Sequence, residues 1–319
     1  MICIFGKRDI DLSTEDVIDW LIFYNEEFIR VNGTDFVQDI SFKSDSFTFR
    51  NIPEDKIQVC WYRRWQDEGY VPNMIAQSTL DNDNNIKLFT HLKGELNVLS
   101  NFLFSRLNNK RWLSHPNELT KTKISVMKKA VECGLLVPQT LITSNKSDLI
   151  DFKSQYKRII SKPIRDVQGF FTSNSFITTK TIEITDDLIS ELPERFFPSQ
   201  FQELIVKDYE LRIFYLNGEF YPMAIFSQLD KQTEIDFRVY NWVKPNRQVP
   251  YKLKDTIREK LQLLMDSLKM TTGSIDMIRA RNGDFIFLEI NPVGQFGMTS
   301  IPCNYFLEKK IAEHLIKMK

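Results

Sequence analysis

The sequence predicts a mixed α/β protein with α+β character, built from two or three lobes. Three observations carry this. The chain has 319 residues, long for one compact domain and suited to several lobes sharing an extended core. It opens as a βαβ-like unit, with a short apolar strand over residues 1–5, an amphipathic stretch to about Glu27 and a second strand over 28–31. It also carries two Asn-Gly steps, Asn217-Gly218 and Asn282-Gly283, each flanked by strand formers. That is the strongest short-range signal for a hairpin with a two-residue type I′ turn.

In the first third, Ser13 with Asp16 reads as a variant capping box opening the first helix. Residues 42–49 alternate like a strand, and residues 57–61 form another that ends in Tyr62-Arg63-Arg64-Trp65. Two arginines bracketed by aromatics at a strand end make a candidate carboxylate site, because guanidinium groups grip carboxylates in bidentate fashion. An ordinary surface pair of arginines explains them equally well. The segment DNDNN (81–85) reads as a polar loop, residues 87–107 as one long helix, and His115-Pro116 as a lobe boundary.

A helix is expected from Thr120 to about Cys133, with Ile124, Met127 and Val131 as its apolar stripe and Gly134 as its C′ residue. Lys123 falls in its first turn. That is the electrostatically wrong end for a lysine, which points to a partner, although a solvated lysine is the plain alternative. Residues 144–156 read as a helix and 158–163 as a strand, with Lys162 near its end as a candidate phosphate ligand. The polar loop 165–175, with its single glycine, reads as a lid over phosphates.

Residues 201–205 (FQELI) form a strand with a glutamate inside. In the next strand Glu210 and Arg212 share a face with Phe214 and Leu216, and a surface ion pair explains them as well as a site does. Arg238 lies between apolar neighbours in DFRVYN. Residues 254–269 form an amphipathic helix that turns Ile257, Leu261, Leu264, Met265 and Leu268 inward. Residues 293–302 read as a loop, and 304–318 as a closing helix with Phe306, Leu307, Ile311 and Leu315 as its stripe.

The chemistry concentrates in residues 273–296 (GSIDMIRARNGDFIFLEINPVGQF). If Asn282 and Gly283 are the loop residues, Asp276 lies directly opposite Glu289, with Cβ atoms roughly 5 Å apart. Asn291 is two residues further on and points to the same face. Two opposed like charges are destabilising unless something offsets them. A hard divalent cation such as Mg²⁺, which takes oxygen ligands, would do so. Two solvated acids are the bland alternative, but Glu289 sits inside FIFLEINP, where solvation would be poor.

Formal net charge is zero, so no strong pull toward nucleic acid or an anionic membrane is expected. No apolar run is long enough to span a bilayer, and the charged start is no signal peptide. Cys3, Cys60, Cys133 and Cys303 are scattered and read as free thiols of a reducing cytoplasm. His91, His115 and His314 carry no zinc-ligand spacing.

The order of these features resembles the ATP-grasp ligases across residues 120–319, and the N-terminal part resembles their pre-grasp domain. The resemblance implies an ATP-grasp fold with nucleotide held between two antiparallel sheets. It implies a pre-ATP-grasp domain at 1–115, a central lobe at 116–190 and a C-terminal lobe with the metal site at 191–319. It further implies Lys123 and Lys162 as nucleotide lysines. Residues 201–205 would be the adenine hinge, with Glu203 its acid and Leu204 and Ile205 beside the base, and Glu210 the ribose acid. Arg212 and Arg238 would be active-site arginines, and Asp276, Glu289 and Asn291 the metal ligands.

Within that superfamily the chain is most similar to the grasp-with-spasm peptide maturases, relatives of the microviridin and plesiocin ligases that make graspetides. The resemblance rests on CWYRRW, KDYELRIFYLNGEFYPMAIFSQ, DFRVYN and above all LEINPVGQFGMTSIPCNYFLEKKIAEHL. The implied activity is ATP-dependent macrocyclisation. Asp or Glu side chains of a precursor peptide are phosphorylated and then joined to Thr or Ser hydroxyls, or to Lys amines. ATP and Mg²⁺ are the implied cofactors, the leader and core of a ribosomally made precursor peptide the implied partner, and a homodimer the implied assembly. In this picture Arg212 and Arg238 hold the reacting carboxylate, Arg63 and Arg64 touch the acidic core peptide, and the Asn217-Gly218 hairpin with nearby helices receives the leader. The single glycine of the lid loop departs from the family and implies a looser cover over the γ-phosphate. Two other readings compete. One is an ATP-grasp ligase adding an amino acid or amine to a small-molecule or protein carboxylate. The other is a nucleotide-bound peptide carrier without catalysis.

Overall fold

The structure, a computed structural model, describes residues 1–7, 11–33, 40–43, 46–49, 52–65, 78–165, 169–171, 175–228, 243 and 245–319. The chain divides into two compact units, Met1–Thr120 with Pro292–Lys319, and Lys121–Asn291. The C-terminal segment thus clusters with the N-terminal residues.

The first unit is built on a parallel sheet ordered β2-β1-β6-β7, formed by β1 (Ile2–Gly6), β2 (Phe28–Asn32), β6 (Val59–Tyr62) and β7 (Arg111–Leu113). Every residue of β1 is buried, as its unbroken apolar run requires of a strand covered on both faces. Helix α1 (Leu12–Phe23) makes the β1–β2 crossover. Its N-cap is Asp11, two residues before the expected Ser13, and the Asp11 carboxylate accepts the Thr14 hydroxyl at 2.7 Å. Residues 42–49, expected as one strand, contribute to two: β3 (Ile40–Lys43) pairs with β4 (Ser46–Phe49), and β4 with the short β5 (Ile52–Pro53).

Helix α2 (Asn82–Arg106) begins inside the expected polar loop. Asp81 caps it by accepting the Asn84 N–H at 2.8 Å, so DNDNN is a cap and first turn. Leu103, Phe104 and Leu107 pack with Phe5 and Cys60 into the core of this unit. The C-terminal segment corrects another expectation. Residues expected as a loop form α7 (Gly297–Cys303), and the closing helix α8 is Leu307–Lys317. Leu307, Ile311 and Leu315 are buried, whereas Phe306 is 56% exposed in the left-handed region at φ 52°.

The second unit holds two antiparallel sheets. One is ordered β12-β9-β13-β8, from β8 (Thr140–Asn145), β9 (Ile159–Lys162), β12 (Ile182–Glu183) and β13 (Arg195–Glu203). Helices α4 (Lys146–Gln155) and α5 (Asp186–Glu191) cover it, burying Leu149 and Ile189 with Ile159 and Phe201. β10 (Gly169–Phe171), paired with β11 (Phe176–Thr178), lies inside the stretch 165–175 expected as a lid loop; residues 166–168 and 172–174 of that stretch lie outside the described residues.

The other sheet is ordered β16-β15-β14-β17-β18. Its strands are β14 (Lys207–Leu216), β15 (Glu219–Phe226), β16 (Arg247–Pro250), β17 (Thr272–Ala280) and β18 (Phe285–Asn291). Leu211, Ile213, Tyr215, Ile275, Met277, Phe285, Phe287 and Ile290 form one face of it. Helices α3 (Lys123–Glu132) and α6 (Asp255–Ser267) pack there through Val126, Ala130, Leu261, Leu264 and Met265. The α6 stripe is the expected one. The α3 stripe is not, because Ile124 and Val131 are exposed and Val126 and Ala130 face inward. Among the described residues no helix is long and apolar enough to cross a membrane.

Candidate active site

The two Asn-Gly steps behave differently. Asn217 and Gly218 both have positive φ, 43° and 95°, with Leu216 opposite Glu219, which is the expected type I′ turn. At the other step only Gly283 is positive, at 98°. Gly283 N–H donates to the Ala280 carbonyl and Ala280 N–H to the Asp284 carbonyl, each at 2.9 Å. The loop is therefore three residues, and the strands leave it one position out of the expected register: Arg279 faces Phe285 and Met277 faces Phe287. A bulge then intervenes, and Asp276 faces Glu289 as expected. Leu288 is the extra residue. It lets Phe285 and Phe287 enter the core while Glu289 turns to the opposite face, the re-aiming that bulges perform beside sites.

On that face the strands align three charges. Arg212 on β14 lies opposite Asp276 on β17, which lies opposite Glu289 on β18. Arg212 Nη1 donates to both Asp276 oxygens at 3.1 and 3.2 Å, and these side chains are 7% and 11% exposed. Glu289 Oε2 receives Lys123 Nζ at 3.1 Å. The lysine at the unfavourable end of α3 thus has its partner, and its Nζ also reaches the Arg165 carbonyl at 3.4 Å. Asn291 faces Ser274 on the same side and is exposed.

Glu210 and Arg212 are both buried, which overturns the surface-pair alternative, and each has its own partner. Glu210 pairs with Lys207 and accepts the Ser227 hydroxyl at 2.7 Å. Beside it Ile278, Ala280 and Ile286 form a small apolar cluster with Ile205 and Leu288. Ile205 thereby joins the site face. The Glu203 carboxylate accepts the Gln139 N–H at 2.9 Å, and the Leu204 N–H donates to the Arg158 carbonyl at 2.9 Å. Lys162 ends β9 opposite Gln200, half-buried. Arg238, like the whole stretch 229–242, lies outside the described residues.

Lys207, Ser227, Leu288 and the Ile278/Ile286 pair were missed in the sequence. The bulge did leave a trace: apolar Phe285 and Phe287 keep a period of two, and Ile290 breaks it. The Lys207–Glu210 pair left none, since an irregular register between Lys207 and Tyr209 brings those side chains together.

Arg63 requires a correction. It is 2% exposed, stacked between the rings of Trp61 and Phe296 at 5.3 and 5.2 Å. Its Nη1 donates to the Val293 and Gly294 carbonyls. A guanidinium enclosed this way has no face for a peptide. Arg64, half-buried, keeps one.

The donor set suits a hard cation in its chemistry: two carboxylates and an amide, all oxygen donors. Among the described residues no group of three or more His, Cys, Asp or Glu side chains gathers that could hold a metal, and Asn291 is the further oxygen donor that the strand register brings beside the two acids. Arg212 Nε is buried and has no hydrogen-bond partner among the described residues. An unsatisfied buried donor of that kind is costly and suits an anionic ligand.

The architecture is the ATP-grasp fold. Solved structures match it over nearly the full length of both chains. The macrocyclase MdnC of Microcystis aeruginosa, bound with precursor peptide MdnA, is 23% identical over 100% of both chains, with a TM-score of 0.81. A RiPP-associated ATP-grasp ligase of Chryseobacterium gregarium, in complex with ADP and a leader and core peptide, is 23% identical. It covers 100% of this chain and 97% of its own, with a TM-score of 0.83. The ATP-grasp ligase PsnB, complexed with a phosphomimetic variant of its minimal precursor, Mg and ADP, is 16% identical over 99% and 98%, with a TM-score of 0.76. No protein-family model and no curated protein matches the sequence.

Proposed function

We propose that this protein is an ATP-dependent peptide macrocyclase of the graspetide type. The observation that carries the reading is the line of charges Arg212, Asp276, Glu289 and Lys123 on one sheet face. Full-length likeness to peptide-bound ATP-grasp ligases supports a peptide as the substrate.

Asp276, Glu289 and Asn291 are the residues to hold Mg²⁺, which when bound neutralises phosphate charge. Lys123 and Lys162 bind the nucleotide phosphates. Glu210, held in place by Lys207 and Ser227, takes the ribose hydroxyls. The base lies on Ile205, Ile278 and Leu288 against the hinge of Glu203, Leu204 and Ile205. Because the Leu204 N–H is already spent on Arg158, the N–H that reads the base comes from the residues after it.

Arg212, with Arg238, holds the peptide carboxylate in line with the γ-phosphorus. An oxygen of that carboxylate forms the new P–O bond while the bond to ADP breaks. A Thr or Ser hydroxyl of the same peptide then attacks the acyl carbon, loses its proton and displaces phosphate, closing an ester. A Lys amine gives an amide. No protein nucleophile is required. Positioning of the two partners and fixed positive charge at the phosphate are what the residues contribute.

Hydroxylamine tests this reading. With ATP, Mg²⁺ and a Thr-, Asp- and Glu-rich peptide, trapping should yield a hydroxamate on an acidic residue of the peptide. A hydroxamate formed only on added free amino acids would favour a small-molecule ligase instead.

A further inference from the structure

We infer that Gln200 reads the base of the nucleotide and sets a preference for adenine; the inference rests on the function proposed above. Gln200 lies on β13, an inner strand between β9 and β8. Phe201 turns into the apolar core with Leu149 and Ile159, so Gln200 and Gln202, on either side of it, point to the opposite face. Across that face Gln200 lies directly opposite Lys162 on β9 and Ile142 on β8. Both glutamines are buried, at 3% and 1% exposure. They differ in what they bond. Gln202 Nε2 donates to the Thr140 hydroxyl at 2.8 Å. The Gln200 amide has no hydrogen-bond partner among the described residues.

A buried amide left without a partner is costly, and an apolar side chain of similar length would fill the same space without that cost. The position therefore points to a ligand. Gln200 stands beside Lys162, which takes phosphate, on the strand that leads into the hinge. At the hinge Ile205 joins the apolar cluster of Ile278, Ile286 and Leu288 on which the base lies. A nucleotide held at both ends passes along this face of β13. The chemistry of the amide selects the part it meets. A phosphate offers acceptors alone and would set the amide oxygen against negative charge. The Hoogsteen edge of adenine offers N7 as acceptor and the N6 amine as donor, at the spacing of a carboxamide. Guanine carries an oxygen in place of that amine and breaks the match. Gln200 thus donates to N7 and accepts from the N6 amine, and Lys162 supplies the charge for phosphate.

Equilibrium binding of ATP and of 7-deaza-ATP, whose base lacks the N7 acceptor, reads this without requiring turnover. Wild-type protein should bind 7-deaza-ATP about tenfold more weakly than ATP, the worth of one hydrogen bond. Gln200→Met should bind ATP about tenfold more weakly and hold the two nucleotides alike. Gln200→Glu sets an acceptor against N7, so it should reverse the preference, and it decides the matter if Gln200→Met does not fold. Gln202→Met is the control. It loses the bond to Thr140, so it should melt at lower temperature and keep the preference for ATP. A preference absent from the wild type, or surviving in Gln200→Met or Gln200→Glu, would overturn the assignment alone, as would its equal loss in Gln202→Met. Wild-type protein that binds neither nucleotide would overturn the proposed function and this assignment together.

Discussion

The ammonium of Lys123 lies 3.1 Å from the Glu289 carboxylate, so a residue expected to hold phosphate is paired with a residue expected to hold metal. With Arg212 on Asp276, both candidate metal acids carry a cationic partner. Under the proposed function, filling the site exchanges partners: a metal at Glu289 frees Lys123 for the nucleotide.

Nucleotide and metal should accordingly bind with positive coupling that runs through Lys123. Calorimetry of Lys123→Met should show ATP affinity reduced about tenfold, the loss of one charge-assisted hydrogen bond. Mg²⁺ binding to the nucleotide-free protein should be as tight as wild type or tighter. Weakened Mg²⁺ binding in that variant would count against the exchange.

The Arg212–Asp276 pair gives a stability prediction. Removing one member of a buried pair strands the other and costs about 3–5 kcal/mol, whereas replacing both with apolar groups is close to neutral. Chemical denaturation of Arg212→Met should show that loss, and the double variant Arg212→Met/Asp276→Leu should recover most of it. Recovery of stability without recovery of ATP turnover would separate the pair's functional role from its contribution to the fold.

The hairpins show how far local sequence signals reach. Asn217 occupies the left-handed region, so Asn217→Ala should destabilise the protein by about 1 kcal/mol or more. Asn282 keeps a negative φ and bonds Asp284 instead, so Asn282→Ala should cost less. Equal losses on denaturation would contradict this difference. The same dipeptide read identically in the sequence. The two turns differ because the bulge at Leu288 and the core positions of Phe285 and Phe287 decide the second register from a distance.

Much of the candidate site was nonetheless legible. Glu210 and Arg212 could be placed on one face of their strand from its period of two, whereas Asp276 faces Glu289 as expected only because a three-residue loop and the bulge at Leu288 offset each other. Lys123 showed itself through its unfavourable place at a helix start. Arg63 misled, since a strand end with two arginines reads the same whether the guanidinium meets solvent or its own chain. Only tertiary structure brings Val293, Gly294 and Phe296 to it. The domain boundary near His115-Pro116 was drawn from local punctuation, whereas the grouping of residues 292–319 with the N-terminal unit depends on long-range packing such as α1 against α8.

Acid should weaken the first unit. Burial lowers the pKa of His115 and, together with Lys317 nearby, that of His314. His115 Nδ1 accepts the Asn117 N–H at 3.1 Å, which fits the neutral ring. A histidine held below its unfolded value binds fewer protons folded than unfolded. Its contribution to stability is therefore full above about 6.5 and falls as pH drops through the lowered value. Melting temperatures should decline between pH 7.5 and 5.5, with a shallower decline in His314→Gln. An unchanged slope would assign the acid sensitivity elsewhere.

The central claim is peptide macrocyclisation, and mass spectrometry tests it most directly. The probe is a Thr-, Asp- and Glu-rich peptide encoded beside this gene, incubated with the protein, ATP and Mg²⁺. The account predicts successive losses of one water mass per ring, absent with Glu289→Ala. ATP hydrolysis with the peptide mass unchanged would contradict it.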